Sequence, residues 1–370
     1  MERKIAWEKY SQEEMDKVFT FAEDYRQFLS HGKTERECVK LAVAEAKAHG
    51  YEDLNDVIAA GKTLKAGDKV YSVCMGKTLA MFQIGEEPLE NGMNIVGAHI
   101  DSPRIDLKQN PLYEDNDMAM FDTHYYGGIK KYQWVALPLA LYGVVAKKDG
   151  TTVDIAIGDD HGDPVFGISD LLPHLAREQM AKTAAKIIEG EDLNLLIGSI
   201  PVKGEEKEAV KKNILAILKE KYDIEEDDFI SAELEVVPAG AARDYGFDRS
   251  MIMGYGHDDR VCAYPSYKAM FELGSVKRTA VCLLVDKEEI GSVGATGMTS
   301  FYFENTVAEV INACGDYSDI KVRRALNNSR MLSSDVSAGF DPNYPSVMEK
   351  NNSAFLGKGL TFNKYTGSGG

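Results

Sequence analysis

Residues 280–291 read AVCLLVDKEEIG, an unbroken apolar run that gives way abruptly to acids and then to glycine. An apolar stretch of this length without polar alternation marks a strand buried on both faces, the centre of an α/β sheet. Ligand sites in open α/β sheets collect at the carboxyl ends of the strands, which makes Glu288 and Glu289 candidate functional acids. On extended backbone, adjacent carboxylates point in opposite directions and can take different duties, one binding a metal and one handling a proton. The bland alternative is a solvated strand end.

Working outward, a second apolar strand, NIVGAHI at 94–100, runs into AHIDSP at 98–103. A period of two puts His99 and Asp101 on one face, where the carboxylate can accept the second imidazole N–H and fix its tautomer, as metal-ligating histidines require. A satisfied structural histidine is the competing reading. GHDDR at 256–260 stands at the start of a helix expected over about 259–273. There Asp258 either caps the helix or bridges two cations. SSDVSAGFDPNY at 333–344 contributes Asp335 after a short polar turn. Together these segments supply one histidine and several carboxylates, each at an element end. Such mixed ligands suit Zn²⁺, Co²⁺ or Mn²⁺, and a two-metal site needs one shared carboxylate.

Residues 11–49 carry apolar positions at helical spacing (Met15, Val18, Phe19, Ala22, then Val39, Ala42, Val43, Ala46) and predict two amphipathic helices covering one face of a sheet. KVYSVCMGKTLAMFQ at 69–83 predicts two short strands around a turn at Gly76. Between about 106 and 240 the texture changes to short β-like runs separated by turn signals at Asn110-Pro111, Gly127-Gly128 and Asp149-Gly150, with one helix in KEAVKKNILAILKEKY. Strands return at 233–238 and 280–286, and a further helix is expected near 299–313. The expected fold class is α/β: a core from residues 1–105 and 240–370, with a mixed or mainly parallel sheet flanked by helices, and an inserted β-rich domain at 106–239.

The chain has 370 residues, with 42 Lys+Arg against 59 Asp+Glu and a formal charge of -17. That charge repels phosphate backbones and argues against nucleic acid while favouring cations. Five cysteines, an odd number without a CxxC pair, favour a reducing, cytoplasmic setting. The amino terminus MERKIAWEKY has no apolar stretch long enough for a signal peptide, and the longest apolar run, Val135 to Ala146, is 12 residues with Pro138 inside it. No membrane role is expected.

AHIDSP, GHDDR, DKEEIGS at 286–292 and SSDVSAGFDPNY, joined by YGGIKKYQW at 126–134, follow one another in an order and spacing that resemble the M18 metallopeptidases, the aspartyl aminopeptidase family, over essentially the whole chain. The resemblance implies that His99 binds a zinc oriented by Asp101, that Asp258 bridges two zinc ions, and that Glu288 is the general base. It further implies that Glu289 ligates one zinc and Asp335 the other. ISDLLPHL at 168–175 resembles the segment that places a histidine in a neighbouring subunit's site, making His174 the candidate. The implied activity is removal of amino-terminal residues, among them Asp or Glu, from peptides with a free amino terminus. The implied assembly is a homo-oligomer, a dodecamer built from dimers through the inserted domain.

One departure stands against the match. The family pattern has a further zinc-binding histidine near the carboxyl terminus, and the chain reaches Tyr365-Thr366-Gly367-Ser368-Gly369-Gly370 without it; His31, His49, His124 and His161 lie in other contexts. Taken as it stands, one metal would lack a protein ligand. Two rival readings follow: a non-catalytic assembly or binding homologue, and a glycosidase in which Glu288 and a second acid flank a sugar bond. The second leaves His99 and Asp101 without a duty.

Overall fold

The computed structural model describes residues 4–315 and 317–363, so the terminal stretch from Tyr365 to Gly370 lies outside the described residues. Strands run in chain order β1 (Glu52–Asp53), β2 (Lys69–Cys74), β3 (Thr78–Gln83), β4 (Asn94–His99), β5 (Arg104–Asp115), β6 (Met118–Tyr126), β7 (Leu139–Ala146), β8 (Thr152–Ile157), β9 (Leu195–Gly198), β10 (Ala232–Pro238), β11 (Arg243–Tyr245), β12 (Met251–Met253), β13 (Ala280–Val285) and β14 (Arg330–Ser333). The α-helices are α1 (Gln12–His31), α2 (Glu35–Ala48), α3 (Leu54–Ala59), the single turn α4 (Arg177–Met180), α5 (Ala209–Tyr222), α6 (His257–Phe271), α7 (Tyr302–Ala313) and α8 (Asp319–Asn328).

Two six-stranded sheets organise the chain. The first has the order β1-β2-β3-β13-β4-β14 and is mixed: β13, β4 and β14 run parallel, while β3 is antiparallel to both β13 and β2. The AVCLLV run is thus an inner strand, and its period of two divides it between cores. Cys282 and Leu284 pack with Phe28, Val39, Tyr264 and Tyr267 beneath α1, α2 and α6. Val281 and Leu283 pack with Val57, Phe82, Val307 and Val322 beneath α3, α7 and α8. Helices cover both faces, which is why the strand has no polar face.

Local chemistry sets the element ends. Ser11 and Glu14 form a reciprocal capping box at the start of α1. Met75 and Gly76 both take positive φ, 50° and 72°, the geometry of the tight turn joining β2 to β3.

The second sheet, β8-β7-β10-β5-β6-β9, is antiparallel throughout and is built from residues 104–238. Its inner core includes Ile105, Phe121, Leu139, Ile155, Phe229 and Val236. Where the two sheets meet, Glu35 of α2, Lys77 of the β2–β3 turn, Arg104 of β5 and Glu235 of β10 are each at most 3 % exposed. Lys77 lies 3.0 Å from Glu35 and is paired with Glu233; Arg104 reaches Glu35 at 3.2 Å, Glu235 at 3.1 Å and Asp106 at 2.8 Å.

Candidate metal centre

The parallel trio β13-β4-β14 ends on one side, and each strand delivers a chemical group there. Register pairs Val285 with His99 and Ser333 with Gly97, so His99, the Glu288–Glu289 pair and Asp335 emerge close together. Asp258 enters from the start of α6. Gly256 at φ +86° opens that helix, and Asp258 and Asp259, joined by a cis peptide bond, both depart from helical φ/ψ. Asp258 makes no side-chain cap, so the capping alternative is set aside. Instead its carboxylate lies 3.1 Å from His99 Nε2, while Ser102 Oγ donates to its main-chain carbonyl at 2.7 Å.

The structure draws His99, Asp258 and Asp335 into one group, and His99, Glu288 and Glu289 into another, with one donor atom per residue lying within 4.8 Å of the others. His174 belongs to neither; it sits in an exposed turn ahead of α4.

One expectation is corrected. Glu288 and Glu289 are not on extended backbone with opposed side chains; the strand stops at Val285, and Glu288–Ile290 is a 3-10 turn. Lys287, at φ +69°, reverses the chain. Asp101 then anchors the turn, its Oδ1 accepting the Glu288 amide at 3.1 Å and its Oδ2 the Glu289 amide at 3.2 Å. The turn brings both glutamates to the same histidine. Asp101 also lies beside the imidazole, but through two atoms: His99 Nδ1 is 3.0 Å from the Asp101 carbonyl and 3.3 Å from its carboxylate.

Electrostatics mark the cluster as short of positive charge. Burial alone would lower the His99 imidazole, but the Asp101 and Asp258 carboxylates outweigh it and lift it to about 11. Burial pushes Glu289 up to about 7, with the Asp258 charge adding to it, and raises Glu288 in the same direction, aided by Asp335. Asp259, fully buried, is lifted to about 7 mainly by burial, and neither of its oxygens has a hydrogen-bond partner. The Cys262 thiol tempers that rise without reaching hydrogen-bond geometry. Among the described residues the ion pairs reaching Asp258 and Glu288 come from His99. Asp258 and Glu288 are half exposed and Asp259 is buried, so what the group lacks is relief of the mutual repulsion of its carboxylates, which a cation would supply. A donor set of one imidazole and several carboxylates, short of positive charge, fits a zinc-type divalent ion.

Asp101 is the opposite case. Burial would raise it, yet the donors His99, Tyr126 and the Glu289 amide hold it below the usual carboxylate range. Tyr126 Oη donates to Asp101 Oδ2 at 2.8 Å. Tyr126 opens the YGGIKKYQW segment, yet a tyrosine ending a strand carries no local signal for a contact 25 residues away. His257, adjacent to Asp258, is occupied elsewhere: its Nδ1 meets Tyr25 Oη at 2.9 Å and its Nε2 meets the Ile252 carbonyl at 3.0 Å. Beside the cluster a pocket of about 240 Å³ is lined by Leu283, Val285, Met298 and Met331 as well as His99, Glu288 and Asp335.

Comparison with known proteins gives this arrangement its family. Residues 28–369 match the family described as aminopeptidase I zinc metalloprotease (M18). A probable M18 family aminopeptidase 1 of Clostridium acetobutylicum is 64% identical over 370 residues, spanning 100% of this chain and 80% of that protein. The crystal structure of aminopeptidase I from Clostridium acetobutylicum superposes with a TM-score of 0.91 at 61% identity, covering 100% of this chain and 80% of the other. That of the M18 aminopeptidase from Thermotoga maritima gives 0.90 at 43% identity, covering 97% and 78%. The S. cerevisiae mApe1 dodecamer shares the fold, with a TM-score of 0.69 at 20% identity over 90% of this chain and 75% of that one. With its mixed sheet, its acid-rich centre at the strand ends and matches of this extent, the chain belongs to the M18 family of zinc aminopeptidases.

Proposed function

We propose that this chain hydrolyses the first peptide bond of peptides with a free amino terminus, using two zinc ions held around His99. The observation that carries the reading is the convergence of Asp258, Glu288, Glu289 and Asp335 on one buried imidazole with no lysine or arginine paired to them among the described residues. His99, Asp258 and Asp335 would hold one ion, and Asp258 and Glu289 would hold the second, with Co²⁺ or Mn²⁺ as substitutes. When bound, zinc supplies Lewis acidity toward the scissile carbonyl and lowers the pKa of water. Asp101 fixes the His99 ring and the Glu288–Glu289 turn. Glu288, raised by burial toward the range useful for a general base, takes the proton of the attacking water and returns it to the leaving amine.

The side chain of the cleaved residue enters the pocket beside the cluster. An acidic residue there would need a Lys or Arg, and Leu283, Val285, Met298 and Met331 offer none, which favours an uncharged residue over Asp or Glu.

The second sheet, residues 104–238, acts as an inserted domain through which copies of the chain associate, His174 being offered to a neighbouring copy. Exposed Leu172, Leu175 and Met180 around His174 support an interface there, Leu175 being 71 % exposed. All five cysteines are free thiols, which supports a reducing, cytoplasmic setting. Among the described residues no helix is long and apolar enough to cross a membrane.

Metal analysis joined to a panel of aminoacyl chromogenic substrates tests the reading. Bound zinc and turnover on uncharged residues are expected; a chain that holds no divalent metal and cleaves none of the panel sinks it.

A further inference from the structure

Tyr126 and Gly127 close the second sheet against the metal centre. Tyr126 ends β6, and its hydroxyl donates to Asp101 Oδ2 at 2.8 Å, the oxygen that also accepts the Glu289 amide. The Arg104 guanidinium lies over the Tyr126 ring, 4.0 Å from its centroid, and is itself held by Glu35 and Glu235. The phenol is therefore fixed from behind by a buried ionic junction and aimed forward at a carboxylate. At Gly127, φ is +72°, and a Cβ there would stand 3.3 Å from Glu289 Cβ and 3.4 Å from Pro103 Cβ. The segment thus touches the centre twice, once through Asp101 and once through Glu289.

We propose that Tyr126 is a positioning residue for the metal centre: its hydroxyl locks the Asp101 carboxylate in the rotation that orients the His99 ring and holds the Glu288–Glu289 turn. The inference rests on the reading of His99 and Glu289 as zinc ligands. The Asp101 carboxylate accepts from two amides and the phenol, and the His99 Nδ1 lies 3.3 Å from that carboxylate and 3.0 Å from the Asp101 main-chain carbonyl. The amides and the imidazole belong to the parts being positioned, so they move with the carboxylate. The phenol comes from the other sheet and gives it an independent reference. Outer partners of this kind are worth roughly 10- to 100-fold in metal affinity or activity.

The test is Tyr126→Phe, which keeps the ring and its contact with Arg104 and removes the hydroxyl. Three quantities are measured on the full chain: zinc affinity by chelator competition, kcat and KM on the best chromogenic substrate, and the thermal midpoint of the metal-free protein. Expected are a loss of roughly 10-fold or more in zinc affinity, a fall in kcat with KM little changed, and a metal-free midpoint close to the parent's. Gly127→Ala, which presses on Glu289 rather than Asp101, is expected to lose zinc affinity independently. Wild-type zinc affinity and kcat in Tyr126→Phe overturn the inference. So does a loss fully matched by a drop in metal-free stability, since that is what a purely structural role gives. A parent chain that binds no zinc removes the underlying reading as well, and is recognised before any variant is compared.

Discussion

Two clusters of acids lie in this molecule, one where the two sheets meet and one beyond the ends of β13, β4 and β14, and they differ in what balances them. At the junction of the sheets, Glu35, Asp106, Glu233 and Glu235 face Lys77 and Arg104, ion pairs supplied by the chain itself. At the metal centre, Asp258, Asp259, Glu288, Glu289 and Asp335 face one histidine. The titration pattern follows the balance only in part, because burial also raises Asp106 in the junction. In the junction, burial would raise Glu35, but Arg104 and Lys77 overcome it and hold Glu35 below its ordinary range; burial and the neighbouring Glu35 charge leave Glu235 raised. In the centre, Glu288, Glu289 and Asp259 are all raised. Acids balanced by the chain's own cations say little about function; acids gathered around one histidine, with no lysine or arginine paired to them among the described residues, point to a cation that arrives from solution.

Glu288→Gln breaks the comparison most strongly on the functional side. Loss of a general base costs about 10²- to 10⁴-fold in turnover, and metal analysis should find the zinc content unchanged; full activity in this variant removes Glu288 from its role. At the junction the corresponding break is Lys77→Met. Removing one partner of a buried charge network costs about 3–5 kcal/mol, to be read from urea denaturation, with zinc still bound by the folded molecules.

A smaller effect comes from adding zinc to the metal-free protein. Binding at a free concentration 100 times the dissociation constant stabilises by about 2.7 kcal/mol, seen as a rise in thermal midpoint that a chelator reverses. Smallest is Glu235→Gln. Burial raises the Glu235 carboxyl well above its ordinary value of 4.5, so the fold holds that proton to higher pH than the unfolded chain does. Its contribution is therefore complete below 4.5 and is lost as pH rises toward the folded value. Glu35, held below 4.5, behaves oppositely: its contribution is present above 4.5 and lost as pH falls. Glutamine at 235 should flatten the decline in stability measured as pH rises above 4.5, and an unchanged slope would count against the proton being held more tightly in the fold.

The sequence disclosed different parts of this picture to different degrees. Amphipathic spacing placed α1 and α2, and the apolar run at 280–285 placed the inner strand, because both signals are local and periodic. The mixed pairing within the sheet agrees with the α/β expectation. The members of the candidate cluster were legible as acids and a histidine at element ends. Their geometry was less so: the left-handed Lys287 turns Glu289 toward His99, and nothing in DKEEIG distinguishes that turn from a strand end. Asp258 likewise leaves helical φ/ψ inside what reads as a helix start. The junction was invisible, since Glu35, Lys77, Arg104 and Glu235 come from four separate segments and meet only after folding. Tyr126 escaped for the same reason.

The central claim, that the uncompensated cluster is the zinc site, is tested most directly by zinc content after exhaustive dialysis of the full chain, set beside the His99→Ala and Lys77→Met variants. The account predicts zinc retained by the parent and by the folded fraction of Lys77→Met, and lost from His99→Ala. Zinc retained at the parent level in His99→Ala, or absent from the parent, would contradict it.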